Sequence, residues 1–152
     1  MDKQIHQKKI KISIGCDHAG FDVAADIINF LDFSGYDVSN QGCYSSDSVD
    51  YPEFGHKVGQ EVSSGHADKG IVVCGSGIGI SIAANKIKGV RAALCFTKDH
   101  AEMSRRHNDS NILALGSRMK GGDNILDILK VWLSTDFEGD RHQRRIEKIE
   151  KI

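Results

Sequence analysis

Short apolar runs, each bounded by glycine or polar residues, recur along the chain between longer amphipathic stretches. Runs of aliphatic and β-branched residues of this length are typical of strands that are buried in a sheet. We therefore predict five strands, which cover residues 9–16, 36–40, 71–73, 90–95 and 111–115.

The stretches between these runs have the periodicity of amphipathic helices. Val23, Ile27 and Leu31 share one side of the first helix, which Gly35 ends. Pro52 suits the first position of the second helix, and Thr97 can cap the helix that follows it. The predicted helices cover residues 21–34, 52–64, 98–106, 123–134 and 140–152, and a further helix follows the glycine-rich segment 75–79.

Strands and helices alternate along the chain, which implies right-handed crossovers and a parallel sheet. The expected fold is of the α/β class, a three-layer α/β/α arrangement with a Rossmann-like five-stranded parallel sheet and helices on both faces. No linker, repeat or change in composition marks a second domain. We predict a single domain over residues 9–152, preceded by a flexible N-terminal tail at residues 1–8.

The composition narrows the classes of partner. With 39% hydrophobic residues, 27% charged residues and a net charge of −1, it is that of an ordinary globular protein. The small net charge provides no general attraction to nucleic acid or to an anionic membrane. No apolar run approaches the roughly 18 residues that a membrane span requires. We therefore expect neither nucleic acid nor a membrane among its partners.

The four cysteines are widely spaced and form no C-x-x-C pair. The spacing contains no zinc-ribbon pattern, and no disulfide framework is expected in a reducing compartment. The polar start of the chain lacks the apolar centre of a signal peptide, so we expect a cytoplasmic protein. Cys16 and Cys95 close apolar runs and are expected to be small buried residues.

The segment after the third strand contains several residues that are candidates for a catalytic or binding site. Cys74 is followed by Ser76 and by three glycines, Gly75, Gly77 and Gly79. A strand, a glycine turn and a helix in this order direct backbone N–H groups toward the helix N-terminus, where they attract negative charge. A thiol at this position is well placed to ionise and to act as a base or a nucleophile.

Other interpretations of this loop are tested by counting positions. A P-loop requires lysine where Ser76 stands, so that interpretation fails. The dinucleotide fingerprint is matched only as G-x-G-x-G, with Cys95 where an acid is expected. A cysteine phosphatase needs an arginine soon after the thiol, and the next one is Arg91. A tight turn with a buried, inert cysteine is equally compatible with the loop alone.

Polar residues also follow other predicted elements. Asp17 and His18 follow the first strand, Arg118 follows the fifth, and His107 and Asn108 end a helix. We expect all of them to lie along the edge formed by the strand carboxyl ends, where ligands bind in open α/β sheets. Taken singly, Asp17 is better explained as a helix cap and His107 as a surface histidine.

The last predicted helix places Arg141 and Arg145 four residues apart on one face, which suits a phosphate. Its other cations, Arg144, Lys148 and Lys151, are better explained as a solvated face. A thiol, an amide cradle, a titratable histidine and paired arginines suit proton abstraction next to a carbonyl, with an enediolate stabilised by fixed donors. No set of metal ligands is evident in the sequence, so neither a metal nor a cofactor is expected.

Five ordered motifs resemble those of the RpiB/LacAB family of sugar-phosphate isomerases. They are GCDHAGF from Gly15, SSDSVDYP ending at Pro52, CGSGIGISIAANK from Cys74, HNDSNILALGSR from His107 and DRHQRR from Asp140. The resemblance covers nearly the whole chain after the tail. It implies metal-independent interconversion of D-ribose 5-phosphate and D-ribulose 5-phosphate in the non-oxidative pentose phosphate pathway, by a homodimer with its two active sites at the subunit interface.

The resemblance also assigns catalytic roles to matching positions. Cys74 corresponds to the base that moves a proton between carbons 1 and 2, and His107 to the acid that opens the furanose ring. Ser76 keeps the hydroxyl of a threonine that is common in the family. Ile80 occupies a position that is glutamate in another branch, so the chain matches the cysteine type. The loop that holds the enediolate corresponds to Gly75, Ser76, Gly77, Ile78 and Gly79.

Substrate contacts are implied at further positions. Two of them, Arg141 and Arg145, match contacts to the sugar phosphate, and the neighbouring subunit is expected to supply three residues of each site. The implied contacts outside the loop are Asp17, His18, Tyr51, Asn108, Arg118, Arg141 and Arg145, and those expected from the neighbouring subunit are His107, Asn108 and Arg118.

Three alternatives stay open. Related galactose-6-phosphate isomerase subunits do not carry the HND and RHQRR patterns together, which favours the five-carbon substrate, but isomerisation of allose 6-phosphate or galactose 6-phosphate is a second candidate. A non-catalytic sugar-phosphate binding module could use the same loop and arginines. A transferase with a cysteine nucleophile would instead form a covalent adduct with its substrate.

Overall fold

The computed structural model describes residues 8–152, and residues 1–7 of the predicted tail lie outside this range. The described chain forms five strands and six α-helices in alternation. The strands are β1 (Lys11–Cys16), β2 (Asp37–Gly42), β3 (Lys69–Cys74), β4 (Ala92–Leu94) and β5 (Ile112–Gly116). The helices are α1 (Phe21–Phe33), α2 (Tyr51–Ser63), α3 (Ile78–Asn85), α4 (Lys98–Asn108), α5 (Ile125–Ser134) and α6 (Arg141–Ile149).

The strands form one parallel sheet, as the alternation predicts, and their order in the sheet is β2-β1-β3-β5-β4. The two central pairings bring the strand ends into line, because Cys16 pairs with Val73 on one side of β3 and Cys74 pairs with Gly116 on the other. The carboxyl ends of β1, β3 and β5 therefore meet at one edge of the sheet.

Helices cover both faces of the sheet, which confirms the predicted three-layer α/β/α fold. On one face α2 packs against α3, and on the other α4 packs against α5. On its other side α5 lies next to α1, because the ammonium of Lys130 in α5 lies 5.6 Å from the centroid of the Phe30 ring in α1. Within residues 8–152 no helix has both the length and the apolar character needed to cross a membrane.

The core lies between these layers and consists mainly of the apolar strand residues. Ile12, Ile14, Ile71 and Leu113 have no exposed surface, as their runs in the sequence predict. The largest fully buried side chain is Trp132 of α5, whose indole N–H donates to the Ser110 hydroxyl at 2.8 Å. A buried indole is stabilised when its N–H finds an acceptor, as it does here.

Several element ends differ from their predicted positions, and local hydrogen bonds explain two of them. The fifth helix was predicted from residue 123 but begins at Ile125, because the Asn124 side chain accepts from the N–H groups of Leu126 and Asp127. The predicted fourth strand, 90–95, is reduced to three residues at the sheet edge. There the Asn85 side chain binds both the N–H and the carbonyl of Ala92.

Candidate active site

The turn between β3 and α3 is a compact loop that only glycine can form at its centre. Gly77 has φ of +76°, and a Cβ at this position would lie 2.6 Å from the Leu94 side chain and 2.8 Å from the Leu115 carbonyl carbon. Its N–H donates to the Sγ of Cys74 at 3.1 Å, and the thiol is only 4% exposed. The loop therefore holds the sulfur at the N-terminus of α3.

Ser76 lies on the exposed side of the same turn. Its hydroxyl oxygen accepts from the N–H of Ile78 at 3.1 Å, so the hydroxyl proton is available to another acceptor. The sequence prediction that a thiol, a hydroxyl and backbone amides converge at this helix start agrees with the geometry.

The loop after β5 is attached directly to the loop after β3. Ser117 N–H donates to the Cys74 carbonyl and Arg118 N–H to the Gly75 carbonyl, each at 2.9 Å. A Cβ on Gly116 would lie 2.5 Å from the carbonyl oxygen of Ser76, so the two loops touch where Gly116 stands. The loop that follows β5 therefore places Arg118 beside the glycine loop.

Arg118 lies beside the loop of its own chain. Its Cδ is 3.6 Å from the point that a Cβ of Gly75 would occupy. The predicted location of Arg118 at a strand carboxyl end is confirmed. This proximity does not require the neighbouring subunit, from which the sequence analysis expected Arg118.

Asp17 and His18 follow β1 and border the same loops. Asp17 is 6% exposed, and its carboxylate accepts from the N–H of Gly20 at 3.0 Å, which is the capping role considered for it. His18 Nδ1 accepts from the N–H of Val49 at 3.1 Å, so a neutral ring carries its proton on Nε2. Because Ser117 Oγ donates to the Ala19 carbonyl at 2.7 Å, this turn is joined to the loop after β5.

Tyr51 is the first residue of α2 and covers the glycine loop from the other side. A Cβ on Gly79 would lie 2.5 Å from Tyr51 Cζ and 2.9 Å from its hydroxyl oxygen. The ring is 41% exposed, so part of it faces solvent. Glycine at position 79 is therefore what allows the tyrosine ring to lie against the start of α3.

His107 and Asn108 do not lie at this edge, and the prediction that they would join it is wrong. They end α4, which begins beyond the carboxyl end of β4 and returns to the amino end of β5. A helix of 11 residues is about 16 Å long, so it carries its last turn across the sheet. Asn108 instead accepts a hydrogen bond from Arg91 Nε through its backbone carbonyl, at 3.0 Å.

His107 is part of a cluster that the sequence analysis did not predict. Its ring stacks on that of His142, with centroids 4.3 Å apart and planes 15° from parallel. Its Nε2 is 3.9 Å from a carboxylate oxygen of Glu138. Burial lowers the pKa of His142, and the positive charges of Arg141 and His107 lower it further. The spacing of His142 and Ile146, both buried on α6, is the sequence signal that could have revealed this inward face.

Arg141 and Arg145 lie one turn apart on α6, as predicted, and both are exposed. α6 contacts α4, and the Glu150 carboxylate beyond its end binds Arg91 Nη1 at 2.7 Å. The paired guanidinium groups therefore belong to the part of the molecule that carries His107, away from the glycine loop.

The two cysteines that were assigned to the interior are buried. Burial raises the pKa of Cys16 to about 12, with Cys43 as a further cause, and the pKa of Cys95 to about 11. Both thiols are therefore protonated at neutral pH. All four cysteines of the chain lie within the described residues and are free thiols.

Comparisons with known proteins agree with this arrangement. A family model described as Ribose/Galactose Isomerase matches residues 12–149. Ribose-5-phosphate isomerase B of Escherichia coli strain K12 is 45% identical over 142 residues, which are 93% of this chain and 95% of that protein.

Solved structures give the same result. Ribose-5-phosphate isomerase B of Clostridium thermocellum superposes with a TM-score of 0.91 at 52% identity, covering 93% of this chain and 96% of that one. Ribose-5-phosphate isomerase B of Mycoplasma genitalium with bound ribulose-5-phosphate superposes with a TM-score of 0.88 at 38% identity, covering 93% and 95% of the two chains. The chain therefore belongs to the ribose/galactose isomerase family.

Proposed function

We propose that this chain is an aldose–ketose isomerase that interconverts D-ribose 5-phosphate and D-ribulose 5-phosphate, a step of the non-oxidative pentose phosphate pathway. The observation that carries the proposal is the position of the Cys74 thiol at the N-terminus of α3, held by the Gly77 amide. The relatives named ribose-5-phosphate isomerase B support the five-carbon substrate.

In the proposed reaction the Cys74 thiolate removes the proton from carbon 2 of the open-chain aldose, leaving an enediolate. A proton moves from the oxygen on carbon 2 to the oxygen on carbon 1, the same thiol returns its proton to carbon 1, and the ketose results. Amides at the start of α3 stabilise the negative charge that develops on oxygen, because they are fixed before the reaction begins. The Ser76 hydroxyl donates a hydrogen bond to a substrate oxygen. Its own oxygen already accepts from the Ile78 N–H, so its proton is directed elsewhere.

Substrate orientation comes from the residues around this loop. Tyr51 packs against Gly79, and Asp17 and His18 directly precede Ala19, whose Cβ is 3.7 Å from the point that a Cβ of Gly75 would occupy. We assign all three residues contacts with the sugar. Arg118 adds a positive charge beside Gly75. These groups, together with the arginines of α6, replace the charge that a divalent ion would supply, so the proposed mechanism needs no metal and no cofactor.

The proposed phosphate site is formed by Arg141 and Arg145, and His107 is the proposed acid that opens the furanose ring. Both exposed guanidinium groups can bind one phosphate because a helical turn separates them. His107, Asn108 and these arginines lie beside the C-terminal end of α4, whereas Cys74 lies at the opposite edge of the sheet. One chain therefore does not surround one sugar phosphate by itself.

We infer a homodimer in which each active site combines the glycine loop of one subunit with His107 and Asn108 of its partner. An apolar surface beside the loop supports this inference: Ile78, Ile82 and Leu94 are 49%, 55% and 39% exposed. Exposed apolar side chains that adjoin an incomplete site are typical of subunit interfaces. We place the protein in the cytoplasm, where its four free thiols suit the reducing conditions.

The test is an isomerase assay with ribose 5-phosphate in the presence of EDTA, beside assays with allose 6-phosphate and galactose 6-phosphate. We expect turnover of the five-carbon substrate to be undiminished by EDTA and faster than that of either six-carbon substrate. Turnover of galactose 6-phosphate alone would support the six-carbon alternative. Binding of all three without turnover would show a binding module and contradict the proposal.

A further inference from the structure

We propose that His107, Glu138 and His142 form a binding site for a divalent transition metal such as zinc, and that the metal inhibits the enzyme reversibly by occupying the imidazole of His107. The three residues each direct one potential ligand atom into a region in which all three atoms lie within 4.8 Å of one another. Two imidazoles and a carboxylate are a ligand set that suits zinc.

Three different segments of the chain each supply one residue of the cluster. His107 lies in the last turn of α4, His142 in the first turn of α6, and Glu138 in the loop between α5 and α6. The loop is fixed to α4 because the N–H of Glu138 donates to the Arg106 carbonyl at 3.1 Å. The ligands are thus brought together by the fold and not by neighbouring positions in the sequence.

His142 provides the fixed part of the site. It is 4% exposed, and its Nε2 is buried without a hydrogen-bond partner among residues 8–152. A buried polar atom without a partner carries a free-energy cost that a bound ion could remove.

Metal binding requires a small closure that the other two side chains can make. Ligand atoms around a tetrahedral zinc lie roughly 3.3 Å apart, because each zinc–ligand bond is about 2.0–2.1 Å. His107 and Glu138 have side chains that are 37% and 34% exposed, so they can rotate toward His142. The stacked rings are nearly parallel, and a tilt of His107 would direct both lone pairs at one ion.

Nearby positive charge limits the affinity of the site without blocking it. Arg106 Nε donates to Glu138 Oε2 at 3.1 Å, so an ion would compete for that oxygen. The carboxylate has a second oxygen, which can bind the metal while Arg106 keeps the first. We therefore expect binding that is weaker than at a structural zinc site and that EDTA reverses.

The inhibitory consequence rests on the proposed function, since it depends on His107 acting as the ring-opening acid. A zinc-bound imidazole nitrogen cannot carry the proton that the sugar oxygen needs. The metal site itself does not depend on that role. Metal binding and turnover are therefore measured separately.

The experiment begins with calorimetric titration of zinc alone into metal-free protein. We expect one zinc per chain in the wild type and at least tenfold weaker binding in Glu138→Gln and in His142→Ala, because each removes one of three ligands. The matched control is His66→Ala. His66 and Glu61 form a similar pair, with Nδ1 and Oε1 3.8 Å apart, but no third ligand among residues 8–152 joins them, so this variant should bind as the wild type does.

The second measurement is turnover of ribose 5-phosphate with added zinc, followed by EDTA. We expect wild-type turnover to fall with zinc and recover with EDTA, whereas Glu138→Gln retains most of its own zinc-free rate at the same concentration. Circular dichroism verifies folding, and if His142→Ala unfolds, Glu138→Gln carries the test.

The outcomes separate the two proposals. Equal zinc affinity in all variants, or no binding, would overturn the metal site. Equal inhibition of Glu138→Gln and the wild type would place the inhibitory zinc elsewhere, for instance on the Cys74 thiol, and overturn the inhibitory role. If metal-free wild type failed to isomerise ribose 5-phosphate, the proposed function would fail while the titration still decided whether the site exists.

Discussion

All four cysteines are buried and end or follow strands of the sheet, and the surroundings of Cys16, Cys95 and Cys74 differ. Cys16 and Cys95 are enclosed so that burial raises the pKa of each thiol well above its usual range. Cys74 is as little exposed, but the Gly77 amide donates to its sulfur and the N-terminus of α3 begins beside it. The proposed role of Cys74 therefore rests on this amide and on the helix start beside the sulfur, which Cys16 and Cys95 do not share.

We predict that Cys74→Ala lowers ribose 5-phosphate turnover by about 10²–10⁴-fold, which is the usual contribution of a general base. Binding of the substrate should persist, because the arginines and the loop amides are unchanged. Steady-state kinetics and calorimetry measure the two effects. Cys95→Ala removes an equally buried thiol outside the site and should keep wild-type turnover. Near-normal turnover of Cys74→Ala would remove Cys74 from the role of base.

A partly buried lysine, Lys69, leads to a prediction about how stability depends on pH. Burial lowers the pKa of Lys69 to about 8, and the charge of Arg105 adds to the effect. The unfolded chain keeps this lysine protonated up to about pH 10.4, so between pH 8 and that value it binds more protons than the native state does. The contribution of Lys69 to the free energy of unfolding therefore rises with pH across this window and is lost as the pH falls to 8.

Urea unfolding between pH 7.5 and about 10.5 tests this by difference. We expect the wild type to gain stability relative to Lys69→Met as the pH rises, since the variant lacks the titrating group. Lys130→Met removes an exposed lysine and controls for the change in net charge. If the difference in free energy of unfolding between the wild type and Lys69→Met stayed constant with pH, the lowered pKa of Lys69 would be contradicted.

At the level of whole elements, the last helix, α6, has an exposed face and a buried face. Arg141 and Arg145 share one exposed face of α6, while His142 and Ile146 are buried on another. The packing of α6 thus depends on its buried residues, and its exposed arginines are free to bind a ligand. Helix periodicity placed Arg141 and Arg145 on one face, but it identified neither the inward face with His142 and Ile146 nor what that face contacts.

Arg141→Ala and Arg145→Ala should each weaken substrate binding about 10- to 100-fold, because a hydrogen bond to a charged group contributes about 1.5–3 kcal/mol. The melting temperature should change little, since both side chains are exposed. Arg144→Ala on the same helix is the matched control and should bind as the wild type does. Substrate titrations and thermal melts provide the two measurements. Wild-type affinity in both variants would place the phosphate elsewhere.

For the molecule as a whole, the proposed site divides between two regions of the fold. The glycine loop lies at the carboxyl edge of the sheet, and α4 carries His107 to the amino edge. In a two-fold symmetric dimer, the glycine loop of each subunit can meet the His107 region of the other subunit. This arrangement produces two equal sites.

Mixing two inactive variants tests this arrangement directly. Refolded together in equal amounts, Cys74→Ala and His107→Ala should recover about a quarter of wild-type activity, because half of the dimers are mixed and each mixed dimer has one intact site of two. Each variant refolded alone is the control and should remain inactive. If both residues acted within one chain, the mixture would be as inactive as its components.

Local patterns predict the elements of this protein and the identity of its central loop. Apolar runs indicate the strands because a covered parallel strand needs apolar residues on both faces, and the strand–glycine–helix order places Cys74 at a helix N-terminus. The α/β/α layering follows from the alternation of strands and helices. These features depend on residues that are close together in the chain.

Contacts between distant segments required the folded structure. The edge of the sheet that His107 reaches depends on the direction in which α4 returns, and its stacking on His142 depends on how α6 packs against α4. Likewise, Tyr51 meets Gly79 only because α2 and α3 lie side by side on one face. Periodicity describes which side of an element is buried, whereas the partner on that side is chosen by packing among all the elements at once.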